Sequence, residues 1–496
     1  MREEVPESGE GIMKKKNRGW KIGVLFAAGV FLTGCNLETG KHMEKPDPKH
    51  PVTITVWNYY NGAQMEAFEN LVEEFNETEG QKQGIYVDAH SMGNVSELEN
   101  NVLDAVKRKV GASELPNIFA AYADTAYAVD QLGYVVDLRP YLSEKEQSRF
   151  VESYLEEGAF SNDGSLKIFP VAKSTEIFVL NKTDWDRFSE STGASLDELK
   201  TVEGITQTAQ AYYEWTDSLT PEPNDGKAFF GRDAMANYIL TGARQLGVEI
   251  FSIDKETGDV VLNFDHDVMR KLWDNYYIPF VKGYFGESGR FRSDDIKTGN
   301  LISFIGSSSG SSFFPDEVIL SDSERYPIEM EAMECPKFEN SENFAVQQGA
   351  GMVVTKTDEK SIYASVEFLK WFTQDDRNIQ FSVASGYLPV TREANNVEKI
   401  RSETGDETQN LSVLTAAVDT VNHNRHYTMP AFENGTDARN VLQYTMSDRA
   451  SADRQVVLER MRNGMSLEEA TESFVSDDWF ENWYQSVKTQ LENLIK

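Results

Sequence analysis

The hydrophobic pattern of the chain becomes regular at residue 52 and then changes between two periods. Val52 to Trp57 (VTITVW) is rich in β-branched residues and predicts a buried strand. The segment after it carries Phe68, Leu71, Val72 and Phe75 at helical spacing. The pattern therefore predicts a strand followed by an amphipathic helix.

Two more strand–helix pairs follow. Ile85 to Ala89 and Asn117 to Ala121 are predicted strands, and each precedes a helical pattern, the second of which ends at Gly133. Strands that alternate with helices predict an open α/β sheet, in which ligands bind at the carboxyl ends of the strands. Asn58 to Asn61 and Tyr122 to Thr125 fall at those ends.

The same alternation returns later in the chain. Ile168 to Leu180 contains two strand-like pieces, and Leu301 to Ile305 and Ala350 to Val354 are further predicted strands. From Ser451 onward the pattern is mostly helical. A chain of 496 residues is too long for one ordinary core, so we expect at least two lobes.

Composition and charge narrow the function. Hydrophobic residues make up 40% of the chain, which is enough for a substantial core. The formal net charge of -33 argues against nucleic-acid binding, which requires a basic surface that displaces counterions. The phosphate-binding motifs GxxxxGKS and GxxxxGKT are absent, so any ATP hydrolysis would belong to a separate subunit. We expect no cofactor.

The first 35 residues differ from the rest of the chain. A basic cluster from Lys14 to Lys21 precedes the apolar run Ile22 to Leu32, which is shorter than an ordinary membrane-spanning helix and has the layout of a secretory signal. The acidic stretch Met1 to Gly11 does not fit a signal sequence, so we expect translation to begin at Met13. Residues 1–35 are therefore predicted to be a signal peptide.

The apolar run ends in LTGC, Leu32 to Cys35, which resembles the lipobox of bacterial lipoproteins. In that class the cysteine is acylated and the signal is cut just before it, so the resemblance implies a lipid anchor at Cys35. Residues 36–50 are then predicted to be a flexible tether. The other cysteine, Cys335, would have no disulfide partner, and we expect a buried or inert thiol.

Four blocks, taken in order, resemble the family of bacterial extracellular solute-binding proteins that serve carbohydrate and related importers. Together they span nearly all of the chain after the tether. The blocks are VTITVWNYYNG (Val52 to Gly62), FPVAKSTEIFVLNKTDW (Phe169 to Trp185), GNLISFIGSSSG (Gly299 to Gly310), and QGAGMVVTKTDEKSIYASVEFLKWF (Gln348 to Phe372) followed by SGYLPVT (Ser385 to Thr391).

The resemblance implies an α/β, two-lobed periplasmic-binding-protein-like fold with discontinuous lobes joined by a hinge. The first lobe would comprise residues 51–171 and 350–400, and the second lobe residues 172–349 and 401–496. Periplasmic binding proteins close by a hinge motion around their ligand. The ligand favours the closed state because both lobes contact it only there.

Aromatic residues at the end of the first strand are candidates for contacting a ligand. Trp57, Tyr59 and Tyr60 could stack on a sugar face or shape an apolar wall, since ligand clefts combine aromatic area with a few polar groups. Trp57 lies inside the strand pattern and could equally pack in the core. Tyr59 and Tyr60 lie beyond the strand end, which favours the cleft for at least one of them.

Small polar residues in the later blocks are further candidates. Ser174 lies in the segment that the resemblance identifies as the first crossing between the lobes. Ser308 and Ser309 follow a predicted buried strand, where hydroxyl groups and free backbone N–H groups suit an anion or a dense set of hydroxyls. A serine-rich surface loop is the alternative interpretation.

Several of these features resemble the glycerol-3-phosphate-binding branch of the family. They include the run Ser308 to Gly310, Gly349 in the second crossing, where glycine would allow close backbone approach, and Tyr387, whose hydroxyl could donate to a phosphate or sugar oxygen. That branch carries an arginine near its later glycine-containing loop, but here Arg439 is out of step. The resemblance therefore leaves phosphate recognition open.

A hydrolase is the remote alternative. The run Gly306 to Gly310 (GSSSG) matches the G-x-S-x-G pattern, with Ser308 as nucleophile and His423 or His426 as base. Pro315 follows too soon for the helix expected after such an elbow, and no HGGG-like segment is present. The two histidines lack an obvious third ligand for a metal site. We expect neither catalysis nor a bound metal.

The sequence thus predicts an extracytoplasmic substrate-binding lipoprotein of an ABC importer, anchored to the cell membrane through Cys35. Its ligand would be a sugar, oligosaccharide or related polyol, with glycerol-3-phosphate or a glycerophosphodiester as the alternative. Its protein partners would be the permease subunits in the membrane, and nucleic acid is not an expected partner. A lipobox leaves open whether the host has an outer membrane.

Overall fold

A computed structural model describes residues 44–160, 163–404 and 409–496 of the chain. The part from residue 44 onward forms one compact unit. The predicted signal peptide, Cys35 and tether residues 36–43 lie outside the described residues. No helix among the described residues is long enough and apolar enough to cross a lipid bilayer.

Strands and helices alternate through much of the described chain, as the sequence pattern predicts. The strands are β1 (Val52–Asn58), β2 (Ile85–Ser91), β3 (Ile118–Ala121), β4 (Glu176–Asn181), β5 (Phe230–Arg232), β6 (Phe251–Ile253), β7 (Val260–Leu262), β8 (Ser303–Ser307), β9 (Glu317–Ile319), β10 (Arg325–Pro327), β11 (Met330–Glu334), β12 (Phe344–Val346), β13 (Gly351–Val354) and β14 (Arg425–Tyr427). The α-helices are α1 (Gly62–Glu77), α2 (Glu79–Gln83), α3 (Val95–Val106), α4 (Ala123–Gln131), α5 (Glu144–Gln147), α6 (Glu152–Glu156), α7 (Lys182–Thr192), α8 (Val202–Asp217), α9 (Met235–Gln245), α10 (His266–Lys282), α11 (Arg292–Lys297), α12 (Glu359–Phe372), α13 (Asp375–Ser385), α14 (Val397–Thr404), α15 (Gln409–His423), α16 (Gly435–Arg462), α17 (Leu467–Thr471) and α18 (Asp477–Leu494). Short 3₁₀ helices cover Arg139–Tyr141, Leu196–Lys200 and Ser308–Phe313.

The first lobe is built on a sheet with strand order β13-β3-β1-β2. β1 runs parallel to β2 and β3, and β13 pairs antiparallel with β3. Helices α1, α3 and α12 pack on this sheet, and Ile54, Val56 and Phe119 lie in the core beneath them. Because parallel neighbours end at the same edge of a sheet, Tyr59 and Tyr122, which follow the ends of β1 and β3, lie near each other at that edge.

The second lobe is built on a sheet with strand order β11-β4-β8-β5. β4 is antiparallel to β8 and β11, and β5 is parallel to β8. Phe178 and Leu180 of β4 enter one hydrophobic core, and Ile177 and Val179 enter another on the opposite face. Burial on both faces explains why the centre of β4 is a continuous apolar run rather than an alternating one.

Two predicted strand positions differ from the observed elements. The strand predicted from Leu301 begins at Ser303, because the Leu301 N–H donates to the carbonyl of Asp295 at the end of α11 rather than to a neighbouring strand. Of the two strand-like pieces predicted in the second block, only the later one is a strand, β4. The earlier piece makes an isolated bridge between Phe169 and Met352.

The two crossing segments between the lobes run side by side. Ser174 and Gln348 exchange backbone hydrogen bonds of 2.9 and 2.8 Å. Gly349 has a φ of +88°, and a Cβ at this position would lie 2.9 Å from the carbonyl oxygen of Ala172. Glycine is favoured there because it tolerates both this backbone conformation and the close approach of the first crossing.

Candidate ligand-binding site

The aromatic residues predicted beyond the end of β1 belong to a packed group that we call the tyrosine cluster, formed by Tyr59, Tyr60, Phe381 and Tyr387. The Tyr59 hydroxyl lies 3.3 Å from the Tyr387 hydroxyl and accepts a hydrogen bond of 3.3 Å from the Ala350 backbone N–H. The Tyr60 and Phe381 rings pack with centroids 5.4 Å apart. Burial, reinforced by the neighbouring phenols, raises the pKa of Tyr59 and Tyr60 well above the usual range, so both stay protonated.

Two other predicted ligand residues lie within the framework of the lobes. Trp57 is in β1, where it pairs with Phe119 and is buried in the core of the first lobe. Ser174 is buried in the first crossing, and its backbone is bonded to Gln348. The absence of a side chain at Gly349 lets its backbone pack closely against the first crossing segment. In the structure, Trp57 therefore lies in the core of the first lobe, and Ser174 and Gly349 lie where the two crossing segments pair.

Ser308 and Ser309 begin the 3₁₀ helix after β8 and lie against the loop that follows α13. A Cβ at Gly386 would come within 3.0 Å of the Ser308 carbonyl oxygen, so the loop packs directly on the serines. Gln64 of α1 donates from its side-chain amide to the carbonyls of Ser309 and Ser385, at 3.3 and 3.4 Å. The serines therefore lie where the two lobes touch, beside the tyrosine cluster.

The residues of the remote hydrolase alternative do not come together. The Nδ1 atom of His426 lies 2.5 Å from the hydroxyl of Ser153, and Nδ1 of His423 lies 2.9 Å from a carboxylate oxygen of Glu334. The histidines therefore have different partners, and neither partner is Ser308. Burial raises the pKa of the Cys335 thiol to about 12, which agrees with the inert thiol predicted from the sequence.

A cavity of about 380 Å³ lies between the lobes, and we call it the inner cavity. Small-molecule sites commonly measure about 300–1,000 Å³. The first lobe contributes α3 and the start of α4, and the second lobe contributes α9 and the start of α16. The polar lining residues are Ser96, Glu99, Tyr122, Asp124, Glu157, Asn237, Thr241, Gln347, Gln348, Tyr427, Thr428, Thr436, Arg439 and Asn440.

The inner cavity adjoins the tyrosine cluster through Tyr122. Burial, and after it the nearby phenol of Tyr387, raises the pKa of Tyr122. Tyr122 lines the cavity, whereas the cavity's lining does not include Tyr59, Tyr60 or Tyr387 among the described residues. The predicted tyrosines therefore lie one layer behind the wall of the inner cavity.

The wall of the inner cavity contains buried polar atoms whose hydrogen-bonding capacity is unused. Thr241 Oγ1, Gln347 Oε1, Gln348 Oε1 and the Tyr427 hydroxyl have no hydrogen-bond partner within the described part of the chain. Leaving such an atom buried and unpaired costs about 1–3 kcal/mol. The two amide oxygens can only accept, and the two hydroxyls can donate and accept. This combination matches a ligand that carries several hydroxyl groups.

Arg439 reaches the inner cavity from α16 and is held there by a chain of polar contacts. Its Nη2 atom donates to Asn237 Oδ1 at 2.6 Å, and Asn237 Nδ2 donates to Glu176 Oε1 at 2.9 Å. Glu176 is buried and lies 3.6 Å from the Arg232 guanidinium. The sequence comparison placed Arg439 out of step with its expected position, but the fold brings it to the wall of the cavity.

A buried ion pair fixes the side of the cavity nearest the hinge. The Lys173 ammonium pairs with the Glu157 carboxylate and donates to the Gly349 carbonyl at 2.7 Å. The side-chain amide of Gln347 donates to Glu157 at 2.7 Å. The Glu157 carboxylate thus neutralises the charge of Lys173 inside the protein. The same carboxylate holds the Gln347 side chain in place through its amide nitrogen.

The remaining charges in the inner cavity are of both signs. Thr436 Oγ1 of the second lobe donates to Asp124 Oδ2 of the first lobe at 2.5 Å, so this contact joins the lobes across the cavity. Burial, and after it the charge of Asp124, raises the pKa of Glu99 to about 6. Carboxylates of the first lobe and the guanidinium of Arg439 from the second lobe therefore line the same cavity.

The sequence reasoning missed most of the cavity wall. Gln348 is the first residue of the fourth block that carries the resemblance, and Gln347 stands directly before it, so the position of this pair was a usable signal. Thr241 lies inside a helix, and Tyr427 lies in a short strand, where no local pattern separates a cavity residue from a core residue. Only the packing of distant segments brings these residues together.

A family model described as bacterial extracellular solute-binding protein matches residues 70–407 of the chain. No match was found among curated proteins. The family match covers about two thirds of the sequence and includes much of both sheets.

Three solved structures similar to this chain are distant from it in sequence. The cyclic α-maltosyl-1,6-maltose binding protein from Arthrobacter globiformis has 16% identity and a TM-score of 0.63, and the match covers 89% of this chain and 100% of that one. The GacH receptor of Streptomyces glaucescens, solved unliganded and with acarbose, has 14% identity, a TM-score of 0.61, and coverage of 89% and 98%. UgpB from Mycobacterium tuberculosis, solved with glycerophosphocholine, has 16% identity, a TM-score of 0.63, and coverage of 90% and 100%. These matches confirm the predicted two-lobed α/β fold.

Proposed function

The chain belongs to the bacterial extracellular solute-binding proteins, which are carriers and not enzymes, and on that premise we propose that it is the receptor of an ABC importer. It captures a sugar, oligosaccharide or related polyol between its lobes and delivers it to a membrane permease. The observation that carries this proposal is the set of unpaired buried atoms from Thr241, Gln347, Gln348 and Tyr427 around one interlobe cavity.

The chemistry of that wall favours hydroxyl-rich ligands. Every sugar hydroxyl can donate one hydrogen bond and accept others, so it can satisfy amide oxygens and protein hydroxyls together. Two of the similar structures support the same ligand class, since one is named for cyclic α-maltosyl-1,6-maltose and another was solved with acarbose. The aromatic ring of Tyr122 adds apolar area beside these polar groups.

Ligand binding would stabilise the closed arrangement of the lobes. A ligand in the inner cavity contacts the first lobe through residues such as Tyr122 and the second lobe through residues such as Thr241. It therefore binds more tightly when the lobes are together, and differential affinity is what shifts a conformational equilibrium. The Thr436–Asp124 hydrogen bond stabilises the same arrangement. The permease would then recognise the closed receptor.

A glycerophosphodiester is the second candidate. Arg439 lines the inner cavity without an ion-pair partner among the described carboxylates, and one similar structure was solved with glycerophosphocholine. Glu99 and Asp124 oppose this candidate, because their charges repel a phosphate at the same cavity. We therefore rank the neutral sugar or polyol first.

Calorimetric titration of the chain from Asn36 onward distinguishes the two candidates. The ligands are neutral mono- and oligosaccharides, glycerol-3-phosphate and glycerophosphocholine, and Arg439→Met is compared with the unchanged protein. Binding of neutral sugars that survives Arg439→Met supports the first candidate. Binding of a phosphate compound that Arg439→Met abolishes supports the second. If no ligand of either class binds or closes the lobes in solution scattering, the proposed function is wrong.

The eight residues predicted as ligand-binding from the sequence can be tested in the same titration. They are Trp57, Tyr59, Tyr60, Ser174, Ser308, Ser309, Gly349 and Tyr387. Tyr387→Phe and Ser308→Ala are the mildest changes among them. A loss of affinity with unchanged stability would support a direct contact with ligand. The predicted lobe boundaries likewise remain predictions.

The proposal includes export and a lipid anchor at Cys35. Its support is the basic cluster, the apolar run and the LTGC motif in the sequence. We expect the protein made by cells to begin at Cys35, to carry fatty acyl groups and to sediment with membranes. Mass spectrometry of the N-terminal peptide measures the first two properties. Cys35→Ala should release the protein from the membrane fraction, and an unmodified wild-type cysteine would contradict the anchor.

A further inference from the structure

A second, larger cavity lies beside the inner cavity, and we call it the outer cavity. Its volume is about 890 Å³. The first lobe contributes Glu156 and Phe160, and the second lobe contributes Arg244, Glu249 and Phe344. The outer cavity is thus a space between the lobes, like the inner cavity, and has aromatic and charged walls.

The two cavities share one wall. Ala123, Glu157, Gln347 and the segment from Tyr427 to Ala431 line both of them. Two of the unpaired buried atoms, Gln347 Oε1 and the Tyr427 hydroxyl, belong to this shared wall. The other two, from Thr241 and Gln348, belong to residues that line the inner cavity alone.

Tyr427 lines both cavities, and charged groups from both lie around it. Burial raises the pKa of the Tyr427 phenol, the carboxylate of Glu249 raises it further, and the guanidiniums of Arg244 and Arg439 oppose the rise. Glu249 and Arg244 line the outer cavity, and Arg439 lines the inner cavity. The hydroxyl thus lies within electrostatic reach of groups from both cavities.

We infer that the ligand is a neutral oligosaccharide long enough to occupy both cavities at once, hydrogen-bonded to Gln347 and Tyr427 where it passes from one to the other. This inference rests on the proposed function and narrows its ligand class. The inner cavity lies near the lower end of the usual range for small-molecule sites, about 300–1,000 Å³, and the outer cavity near the upper end. One short ligand would leave the larger space unfilled.

The charges in the outer cavity favour a neutral chain there as well. Arg392 lies 3.7 Å from Glu152, and Arg425 lies 3.5 Å from Glu342, so two of its arginines already face carboxylates. The Arg244 guanidinium lies 4.3 Å from the centroid of the Phe344 ring, with Glu249 nearby in the same lining. Arginines paired with carboxylates can still donate to the hydroxyl groups of a ligand, and the carboxylates can accept from them. Because their charges largely cancel, they do not favour a ligand that carries a net charge.

The position of Phe160 identifies it as the aromatic contact for the outer part of the ligand. Its ring is partly exposed, lines the outer cavity and packs 6.0 Å from the Tyr127 ring. An aromatic face beside polar groups is the arrangement that binds the apolar face of a sugar ring. Phe160 lies outside the lining of the inner cavity, so it should matter only for long ligands.

The test measures affinity against chain length. The chain from Asn36 onward is titrated with gluco-, manno-, galacto- and xylo-oligosaccharides of one to six units, and with glycerophosphocholine. In whichever of these sugar series binds, we expect the oligosaccharides of three or more units to bind more tightly than the disaccharide. Phe160→Ala should weaken binding of the longer members roughly tenfold and leave the disaccharide unchanged. Thr241→Val, in the inner cavity, should weaken every length by roughly fivefold.

Two further variants keep the test decisive. Glu249→Gln preserves side-chain size in the outer cavity and should also act only on the longer members, and Leu132→Ala is a control because Leu132 is exposed. If a mono- or disaccharide binds as tightly as every longer member, the inference is wrong and the proposed function stands. If only glycerophosphocholine binds, the neutral oligosaccharide is excluded. If nothing binds, the proposed function fails together with the inference.

Discussion

The tyrosine cluster and the shared wall of the two cavities are both buried and both rich in hydroxyl or amide groups, but only the first is satisfied by the protein itself. Tyr59 has the Tyr387 hydroxyl and the Ala350 N–H as partners. Tyr427, equally buried, has none within the described residues. A group that the fold pairs internally contributes to stability, whereas a buried group left unpaired lowers stability, and a ligand that reaches it restores the missing hydrogen bond.

The largest difference is expected when an aromatic ring of the tyrosine cluster is removed. Tyr60 is 1% exposed, and its ring contacts Phe68 and Phe381 with centroid distances of 5.2 and 5.4 Å. Tyr60→Ala should lower the free energy of unfolding by about 3–5 kcal/mol, because it leaves a cavity in the core. Urea denaturation measures this change.

The control for that variant is Tyr86→Ala on β2. The Tyr86 side chain is 53% exposed, so its loss should change the free energy of unfolding by no more than about 0.5 kcal/mol. If Tyr60→Ala were as mild as Tyr86→Ala, the tyrosine cluster would not be the packed structural element described above.

Changes in the cavity wall should instead act on ligand affinity. Thr241→Val and Tyr427→Phe each remove one hydroxyl that is available to the ligand, and each should weaken binding by about 1 kcal/mol, roughly fivefold. The double variant should lose about 2 kcal/mol if the two contacts are independent. Isothermal titration measures both. Unchanged affinity in the double variant would show that these atoms do not face the ligand.

The fold could be predicted from the sequence to a greater extent than the site. The strand at Val52 to Trp57, its helix and the two following strand–helix pairs depend on local periodicity, and the structure confirms them. Parallel pairing of β1 with β3 then places Tyr59 beside Tyr122. Local pattern and sheet geometry were sufficient to find the edge of the sheet where the lobes meet.

The cavity wall could not be predicted in this way, because its residues come from separate segments. Thr241 lies in a buried helix, and only the approach of the segment after β14 makes part of that helix a cavity wall. Arg439 does not align with the arginine of the glycerol-3-phosphate-binding branch, but it lines the inner cavity because the first turns of α16 lie beside that cavity. Whether such a residue lines the cavity, and which residues it contacts there, depends on how distant elements pack and not on its position in the chain.

A pH-dependent effect should further distinguish the cavity wall. Glu99 has a pKa raised from 4.5 to about 6 by burial and by Asp124. Its protonated form is therefore favoured by the folded state, and the stability that this group contributes is present below about pH 4.5 and lost as the pH rises through 6. Because the side chain is partly exposed, we expect roughly 1 kcal/mol after allowance for solvent screening.

Glu99→Gln tests this effect without changing side-chain size. The variant should be more stable than the unchanged protein by roughly 1 kcal/mol at pH 7.5, and the difference should shrink toward zero at pH 4.5. Denaturant unfolding at several pH values measures it, with Glu114→Gln as the control because Glu114 is exposed. A difference that stays constant with pH would show that Glu99 does not titrate between these limits.

The smallest effect is the sharpest test, because it compares the same substitution in both regions. Tyr59→Phe removes an oxygen that accepts from the Ala350 N–H, so a buried donor loses its partner and the free energy of unfolding should fall by about 1 kcal/mol. Tyr427→Phe removes an oxygen without a partner in the described chain, so stability should stay the same or rise by a few tenths of a kcal/mol. Tyr59 and Tyr427 are 8% and 6% exposed, so burial does not separate the two cases. Parallel urea denaturation at pH 7 measures the difference between the variants. Equal losses would mean that Tyr427 has a structural partner, and its hydroxyl would then not be free to bind the ligand between the two cavities.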